Sequence, residues 1–144
     1  MTHNADFDIR DFLPYILALS AEEASLGFQQ LYKDRYGMLR TEWRLLFHLG
    51  RYGDLTAKDV CARARLHKTK VSRAVTALEQ KRFVKRTEVP TDRRHELLSL
   101  TPQGTKAFED LCDAAKLYDR KLLEGFSPQE QTLLKDYLKR LARL

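Results

Sequence analysis

The sequence has few of the features that mark a secreted or a membrane protein. Its two cysteines, Cys61 and Cys112, are too few for the disulfide framework of a small secreted domain. No apolar run approaches the roughly 18–20 residues of a membrane helix. The first eleven residues hold three acids and one arginine, unlike the basic start of a signal peptide. We therefore expect a cytoplasmic protein with no membrane partner. Both thiols should be reduced and buried, since a redox role requires an exposed, electropositive setting that the sequence does not indicate.

Motifs that carry catalysis are also lacking. The four histidines, at positions 3, 48, 67 and 95, fall in unrelated segments. The chain has no H-E-x-x-H, C-x-x-C, glycine-rich phosphate loop or nucleophile elbow. We therefore predict no enzyme activity, no metal and no cofactor.

Positive charge is concentrated in one segment. Residues 63–94 hold eleven lysines and arginines against three acids, a net charge of +8 within a chain whose net charge is +6. Such a concentration repels itself unless a polyanion is present, and is typical of a surface that contacts nucleic acid phosphates. The alternative is a solvated basic face with no partner.

Two helices are predicted before this segment. Apolar residues predict a first helix from Leu13 to about Lys33, with Asp11 as its cap and a break at Tyr36-Gly37. A second helix from about Thr41 to Leu49 is apolar nearly all round, which favours burial between two layers.

The basic segment has the pattern of a helix-turn-helix. Thr56 and Asp59 fit a capping box for a short helix that ends near Arg65. A second short helix follows His67, and its inward face is formed by Val71, Ala74, Val75 and Leu78. The outward positions are the DNA-binding candidates, and they are Lys68, Thr69, Lys70, Ser72, Arg73 and Thr76.

A hairpin follows the helix-turn-helix. Val84 to Val89 and Leu97 to Leu100 are strand-like, and the connection from Pro90 to Glu96 contains residues that favour a turn. Arg93 and Arg94 lie near its tip. We interpret the hairpin as a wing and both arginines as DNA-binding residues.

The C-terminal third is helical again. Thr101-Pro102 begins one helix, and a capping box at Ser127 begins the last. Because a complete winged motif lies between the first and last helices, their additional apolar surface indicates a dimer interface, formed in part by Leu134, Tyr137, Leu138 and Leu141.

The predicted fold class is mainly α (α+β), a winged helix-turn-helix with flanking N- and C-terminal dimerisation helices. Within one compact domain we expect three parts. Residues 1–11 form a disordered tail, residues 12–37 and 102–144 form the helical dimerisation region, and residues 38–101 form the winged DNA-binding region.

At this point the sequence resembles the MarR family of transcription regulators over about residues 12–143. The most specific part is the run from Asp92 to Gly104, which is similar to the family's wing pattern D-x-R followed by L-x-L-T-x-x-G. Residues 68–73 are similar to the start of its recognition helix, and residues 42–46 to its second helix. These three matches occur in the right order and at the right spacing.

The resemblance implies a homodimer that places one recognition helix of each subunit in a major groove of a pseudo-palindromic operator. It also implies that Arg94 enters the minor groove, which agrees with the preference of arginine for narrow, A·T-rich minor grooves. Relatives are often released from DNA by small aromatic or phenolic acids. A repressor with such a ligand is therefore the function that the resemblance implies.

The sequence departs from the family pattern at three places. Arg65 and Arg82 stand where the family often has glycine, and His67 stands where an aspartate cap is common. Because a left-handed residue other than glycine costs about 1 kcal/mol, local turns that differ from those of the family are one reading. Additional phosphate contacts from the two arginines are the other.

The ligand site is the least determined. Arg44 and His48 are i,i+4 neighbours on an otherwise apolar helix that also carries Trp43, so these three residues are the ligand-binding candidates. A structural ion pair or a hydrogen bond across the dimer explains the same two polar residues.

A winged domain that binds only other proteins is the alternative function. Such a domain is expected to have a neutral or acidic recognition helix, and Lys68, Lys70 and Arg73 argue against it.

Overall fold

The structure is a computed structural model that describes residues 6–92 and 95–144. Its elements confirm the predicted fold class. A 3-10 turn (Ile9–Asp11) is followed by α1 (Leu13–Tyr36), α2 (Arg40–Tyr52), β1 (Leu55–Thr56), α3 (Ala57–Ala64), α4 (Lys68–Gln80), β2 (Val84–Glu88), β3 (Glu96–Leu100), α5 (Pro102–Leu122) and α6 (Pro128–Ala142). No helix of these described residues is both long and apolar enough to span a membrane.

The predicted capping residues begin three of the helices. Thr56 Oγ1 accepts the Asp59 amide at 3.2 Å, and Asp59 Oδ2 accepts the Thr56 amide at 3.1 Å. Ser127 and Glu130 form the same reciprocal pair at the start of α6. Thr101 Oγ1 accepts the Gly104 amide at 3.0 Å in the first turn of α5. Local hydrogen bonds that can be predicted from the sequence therefore determine where these helices begin.

The N-terminal end of the chain differs from the prediction. The Asp8 carboxylate accepts the Arg10 amide and binds its guanidinium, each at 2.9 Å, and this closes a 3-10 turn over Ile9–Asp11. Asp11 is therefore part of that turn, and α1 begins behind Phe12 without a side-chain cap. The prediction of Asp11 as a cap was wrong. The disordered tail stays a prediction for residues 1–5, which lie outside the described residues.

The three strands form one antiparallel sheet in the order β1-β3-β2. Val84 lies opposite Leu100, and Glu88 lies opposite Glu96. The short β1 pairs only with Leu97 and Leu98 of β3. The end of the hairpin near Glu88 and Glu96 is therefore a two-stranded ribbon with no third strand beside it.

The core of the winged region lies between α2, α3, α4 and the sheet. Leu46, Val60 and Leu78 are completely buried, one on each of the three helices. The predicted inward face of α4 is confirmed, and its members Val71, Ala74, Val75 and Leu78 are all at most 2% exposed. This packing orients α4 about its own axis, so it decides which residues of the helix face solvent.

The described chain divides into two compact units, one ending at Leu111 and the other running from Cys112 to Leu144. In the second unit, the side-chain amide of Gln131 donates to the carbonyl oxygens of Leu123 and Phe126. These hydrogen bonds hold the start of α6 against the turn before it. Cys61 and Cys112 do not form a disulfide with each other. Both are half-buried, so the expectation that they are buried was wrong.

Candidate DNA-binding surface

The exposed face of α4 holds six of the eight DNA-binding candidates. Because the apolar positions of the helix are packed inward, the remaining positions face solvent together. Every candidate on α4 is exposed, namely Lys68, Thr69, Lys70, Ser72, Arg73 and Thr76. The structure thus brings these residues onto one accessible face.

The N-terminal end of α4 is strongly electropositive. No acid occurs in its first turn, and His67 caps it, with Nδ1 accepting the Thr69 amide at 3.2 Å. Among the described residues, Lys68, Lys70 and Arg73 form no salt bridge with a carboxylate. Their charges therefore add to the positive end of the helix dipole, which is a favourable environment for an anion such as phosphate. The histidine replaces the expected aspartate cap without bringing a negative charge to this end.

Arg65 and Arg82 keep the left-handed turns of the family pattern. Arg65, between α3 and α4, has φ 54°, and Arg82, between α4 and β2, has φ 63°. Both side chains are exposed. The reading in which these turns differ was therefore wrong. The fold accepts the backbone strain at both positions, and each turn gains a positive charge at the surface.

The wing is described up to Asp92 and again from His95. The Val89 amide donates to the His95 carbonyl at 3.3 Å, and the His95 amide donates to the Asp92 carbonyl at 3.1 Å, which closes the hairpin. His95 Nε2 lies 3.6 Å from the Asp92 carboxylate. Arg93 and Arg94 lie outside the described residues, so their role in binding DNA stays a prediction.

Arg86 links the wing to α4, and the sequence analysis did not single it out. Its guanidinium lies 3.2 Å from Glu79 Oε2 and 3.3 Å from Thr76 Oγ1, both on α4. It also lies 3.3 Å from Glu96 Oε2 on β3. One side chain thus joins three elements. The spacing of Glu79 and Arg86 along the chain is a weak signal, because the contact depends on how the hairpin folds back onto the helix.

A cleft of about 280 Å³ opens beside this link. Its lining includes Thr56 and Lys58 at the start of α3, together with Lys68, Ser72 and Arg86. Lys58 and Lys68 are cations without a salt bridge among the described residues, whereas the charge of Arg86 is paired with Glu96, which also lines the cleft. The cleft can therefore accept an anionic group from solvent at the edge of the exposed face of α4.

The three ligand candidates lie on α2 in different surroundings. The Trp43 ring packs edge-on against Phe28 and Phe47, with ring centres 5.5 and 5.1 Å away. His48 Nδ1 lies 2.6 Å from the backbone carbonyl oxygen of Arg44. The contact between Arg44 and His48 therefore joins a ring nitrogen to a backbone carbonyl oxygen one turn earlier on α2.

The four dimer candidates lie on α6. None of the residues of α6 is buried, although the helix carries an apolar stripe. Tyr137, Leu138 and Leu141 are exposed and Leu134 is half-buried. An amphipathic helix with its apolar side in solvent is typical of a protein interface.

Comparisons with known proteins identify the same architecture. A model of the MarR family matches residues 36–95, which extend from the end of α1 to the wing. A MarR/EmrR family transcriptional regulator from Acinetobacter sp. ADP1 is 27% identical, with a TM-score of 0.83 over 95% of this chain and 96% of that one. The HTH-type transcriptional regulator FarR of Neisseria gonorrhoeae is 27% identical over 72% of this chain and 70% of its own length.

A further solved structure has a very similar fold at lower identity. It is BpsR of Bordetella bronchiseptica, whose DNA binding is regulated by 6-hydroxynicotinic acid. BpsR is 19% identical, with a TM-score of 0.85 over 96% of this chain and 98% of its own. The matched segment, the winged fold and these relatives agree with the electropositive face of α4, and the chain is similar to the MarR family of DNA-binding transcription regulators.

Proposed function

We propose that this protein is a cytoplasmic repressor that binds a pseudo-palindromic operator as a homodimer and is released by a small aromatic acid. The observation that carries the DNA-binding part is the exposed face of α4, with Lys68, Lys70 and Arg73 in its first two turns and no acid in the first. A helix of this kind fits a major groove, where its N-terminal residues reach base edges. Repression follows where the operator overlaps a promoter, because the bound protein then excludes the polymerase.

The homodimer is supported by apolar surface on both terminal helices. Besides the candidates on α6, the helix α1 exposes Leu13, Ile16, Leu19 and Leu26. Burying such side chains against a second copy gains about 25 cal/mol for each Å² of apolar surface. Two-fold symmetry of the protein then requires two operator half-sites related by the same symmetry.

The dimer is tested by sedimentation at micromolar concentration. We expect a mass of twice 16.8 kDa for the wild type. Leu138→Glu introduces a charge into the α6 stripe and should give a monomer that binds the operator weakly. Lys139→Glu, on the neighbouring residue outside the stripe, is the matched control. A wild-type monomer that binds a palindrome with full affinity contradicts the dimer.

The aromatic acid ligand is supported by the BpsR relative and by two cationic locations. The first is the part of α2 that carries Trp43, Arg44 and His48, where the imidazole ring of His48 lies 5.9 Å from the ring of Tyr52. The second is the cleft lined by Lys58 and Lys68. Arg44→Ala and Lys58→Ala distinguish them, because only the variant that removes a ligand contact should bind the operator normally yet resist release.

The experiment for the whole proposal is selection of bound duplexes from a random pool. We expect a palindromic motif with wild-type protein, and loss of selection when 6-hydroxynicotinic acid or 4-hydroxybenzoic acid is added. Lys68→Ala/Lys70→Ala/Arg73→Ala should select nothing. Recovery of no motif by a folded wild-type protein would contradict DNA recognition and favour a winged module that binds only proteins. Selection that neither acid alters would contradict this ligand class.

A further inference from the structure

Arg86 is one of the cations of the basic segment, and carboxylates of the protein itself already neutralise its charge. Its guanidinium is in contact with two carboxylates, Glu79 at 3.2 Å and Glu96 at 3.3 Å. The three side chains together carry a net charge of −1. Phosphate is therefore not attracted to this cluster, in contrast to the N-terminal end of α4, where the cations have no acidic partner among the described residues.

The contacts of Arg86 join the exposed face of α4 to the wing. Thr76 and Glu79 lie one turn apart on α4, whereas Glu96 is the first residue of β3. The planar guanidinium can hold all three at once because its five N–H donors have a fixed geometry. A lysine, with a single ammonium group on a flexible stem, offers no such fork.

The wing needs an attachment of this kind. Only Val84 of β2 is buried, and β1 reaches no farther along β3 than Leu97. From there to its tip the hairpin is a two-stranded ribbon, which is marginally stable alone in water. The Arg86 cluster lies at the base of this ribbon, so it is well placed to hold the ribbon at a fixed angle to α4.

We propose that Arg86 is a positioning residue, which fixes the wing relative to α4 so that both can contact neighbouring grooves of one duplex. The proposal rests on the DNA-binding function given above. It assigns Thr76 a second role, since Thr76 was a candidate for contacting DNA and its hydroxyl is the acceptor for Arg86. Arg86 itself touches no nucleic acid in this proposal.

Two substitutions separate this proposal from a direct phosphate contact. If Arg86 only positions the wing, Arg86→Gln should weaken operator binding about tenfold, the effect of losing one charge-assisted hydrogen bond, with an unchanged dependence on salt. A phosphate contact would instead lower the salt dependence by about one unit per subunit. The two roles of Arg86 predict opposite effects of Glu79→Gln on operator affinity. Loss of a positioning contact weakens binding, whereas loss of a carboxylate near phosphate strengthens it.

The experiment measures three quantities on Arg86→Gln, Glu79→Gln and a matched control. The control is Lys85→Gln, since Lys85 is the preceding residue of β2, is exposed on the other side of the strand and forms no salt bridge among the described residues. The quantities are operator affinity across salt concentrations, sequence preference in the flanks that the wing contacts, and hydrogen exchange of the Val89 and His95 amides in free protein. Glu79→Gln keeps the test decisive if Arg86→Gln does not fold.

We expect both cluster variants to lose flank preference and to exchange the two wing amides several-fold faster, while Lys85→Gln keeps wild-type flank preference and wild-type exchange. Unchanged exchange in both cluster variants overturns the proposal, as does tighter binding by Glu79→Gln or a reduced salt slope in Arg86→Gln. A wild type that binds no duplex contradicts the proposed function instead, and the exchange measurement then still decides whether Arg86 holds the wing.

Discussion

Lys81 Nζ lies 3.3 Å from Glu42 Oε1, and this pair joins the end of α4 to the first turn of α2. The Glu42 side chain is only 5% exposed, whereas that of Lys81 is 30% exposed. The second carboxylate oxygen of Glu42 accepts the Leu39 amide at 3.2 Å. A buried carboxylate thus has one charged partner and one backbone partner, and the charged partner is the residue that caps the proposed recognition helix.

Lys81→Met should lower the free energy of unfolding by about 1–2 kcal/mol, because it leaves a buried carboxylate without its cation. This loss of unfolding free energy is small for breaking a buried ion pair, because the Lys81 ammonium is partly exposed to solvent. Urea unfolding followed by circular dichroism measures the change. Glu42→Gln/Lys81→Met is the control, and it should be more stable than Lys81→Met because no uncompensated charge remains. A double variant that is the least stable of the set would contradict this explanation.

Gly104 is required by close packing at the start of α5. A Cβ on Gly104 would clash with the carbonyl oxygen of Phe83, which is backbone and cannot rotate away. The same carbonyl accepts the Thr101 amide at 3.0 Å. We expect Gly104→Ala to cost more than about 2 kcal/mol of stability, as overpacking against backbone does. Gly125→Ala, with open space around its Cβ position, should change stability by less than about 0.5 kcal/mol. Equal losses of stability in Gly104→Ala and Gly125→Ala, measured by thermal unfolding, would contradict this packing argument.

The left-handed arginine at position 82 should limit stability. Arg82→Gly removes a backbone strain of about 1–2 kcal/mol and adds flexibility to the unfolded chain, which offsets part of the gain. We expect a net stabilisation of about 0.5–1 kcal/mol in chemical unfolding. Arg82→Ala removes the same charge but keeps the strain, so it should not be stabilised. An equal gain in both variants would attribute the effect to charge repulsion within the basic segment.

Tyr36 and Asp110 predict a pH-dependent contribution to stability. The Tyr36 hydroxyl donates to Asp110 Oδ2 at 2.6 Å, and Arg35 binds the same carboxylate at 3.0 Å. Burial, together with this hydrogen bond, raises the pKa of Tyr36 to about 12. The bond from Tyr36, with help from Arg35, holds the pKa of Asp110 below its usual 3.8.

The two shifts have opposite signs. The depressed pKa of Asp110 contributes stability above pH 3.8 that is lost as the pH falls through the lower value. The raised pKa of Tyr36 contributes stability that is complete below pH 10 and is lost as the pH rises towards 12. The difference in unfolding free energy between wild type and Tyr36→Phe should therefore be largest near pH 7 and smaller at pH 3 and pH 11. A difference that is constant across these pH values would contradict the account, and Tyr52→Phe is the control.

The parts of the fold that the sequence predicts are those determined by local patterns. The capping residues Thr56, Thr101 and Ser127 determine helix starts through bonds to amides three residues away. The inward face of α4 follows from the spacing of Val71, Ala74, Val75 and Leu78. These features depend on neighbours within one or two turns, so they can be predicted without knowledge of the tertiary structure.

The parts that the sequence did not predict depend on distant residues. Arg86 was counted among the cations of a DNA-binding segment, but its contacts with Glu79 and Glu96 appear only when the hairpin packs on α4. Lys81 was counted in the same way, and its partner Glu42 is 39 residues away. At the N-terminal end, Asp11 lies where a cap of α1 is expected, but the Asp8 side chain closes a 3-10 turn that includes Asp11. Net charge indicated the segment that carries the candidate surface, and the structure separates the cations that face solvent from those with carboxylate partners.

We expect different roles for cations that are close together on the candidate surface. Arg73 should read a base edge in the major groove, so Arg73→Ala should cost about 1–3 kcal/mol and relax preference at one position in each half-site. Lys70 should contact phosphate, so Lys70→Ala should weaken binding to all sequences and lower the salt dependence by about one unit per subunit. Arg94→Ala should reduce A·T preference in the flanks, where the minor groove distinguishes little else.

Binding-site selection on the wild type and on Arg73→Ala and Lys70→Ala, with salt titrations on the selected duplex, is the most direct test that α4 recognises DNA sequence. We expect a motif that loses one position in each half-site with Arg73→Ala and keeps every position with Lys70→Ala. An unchanged motif with uniformly weaker binding in both variants would contradict it, and α4 would then be only a phosphate-binding surface.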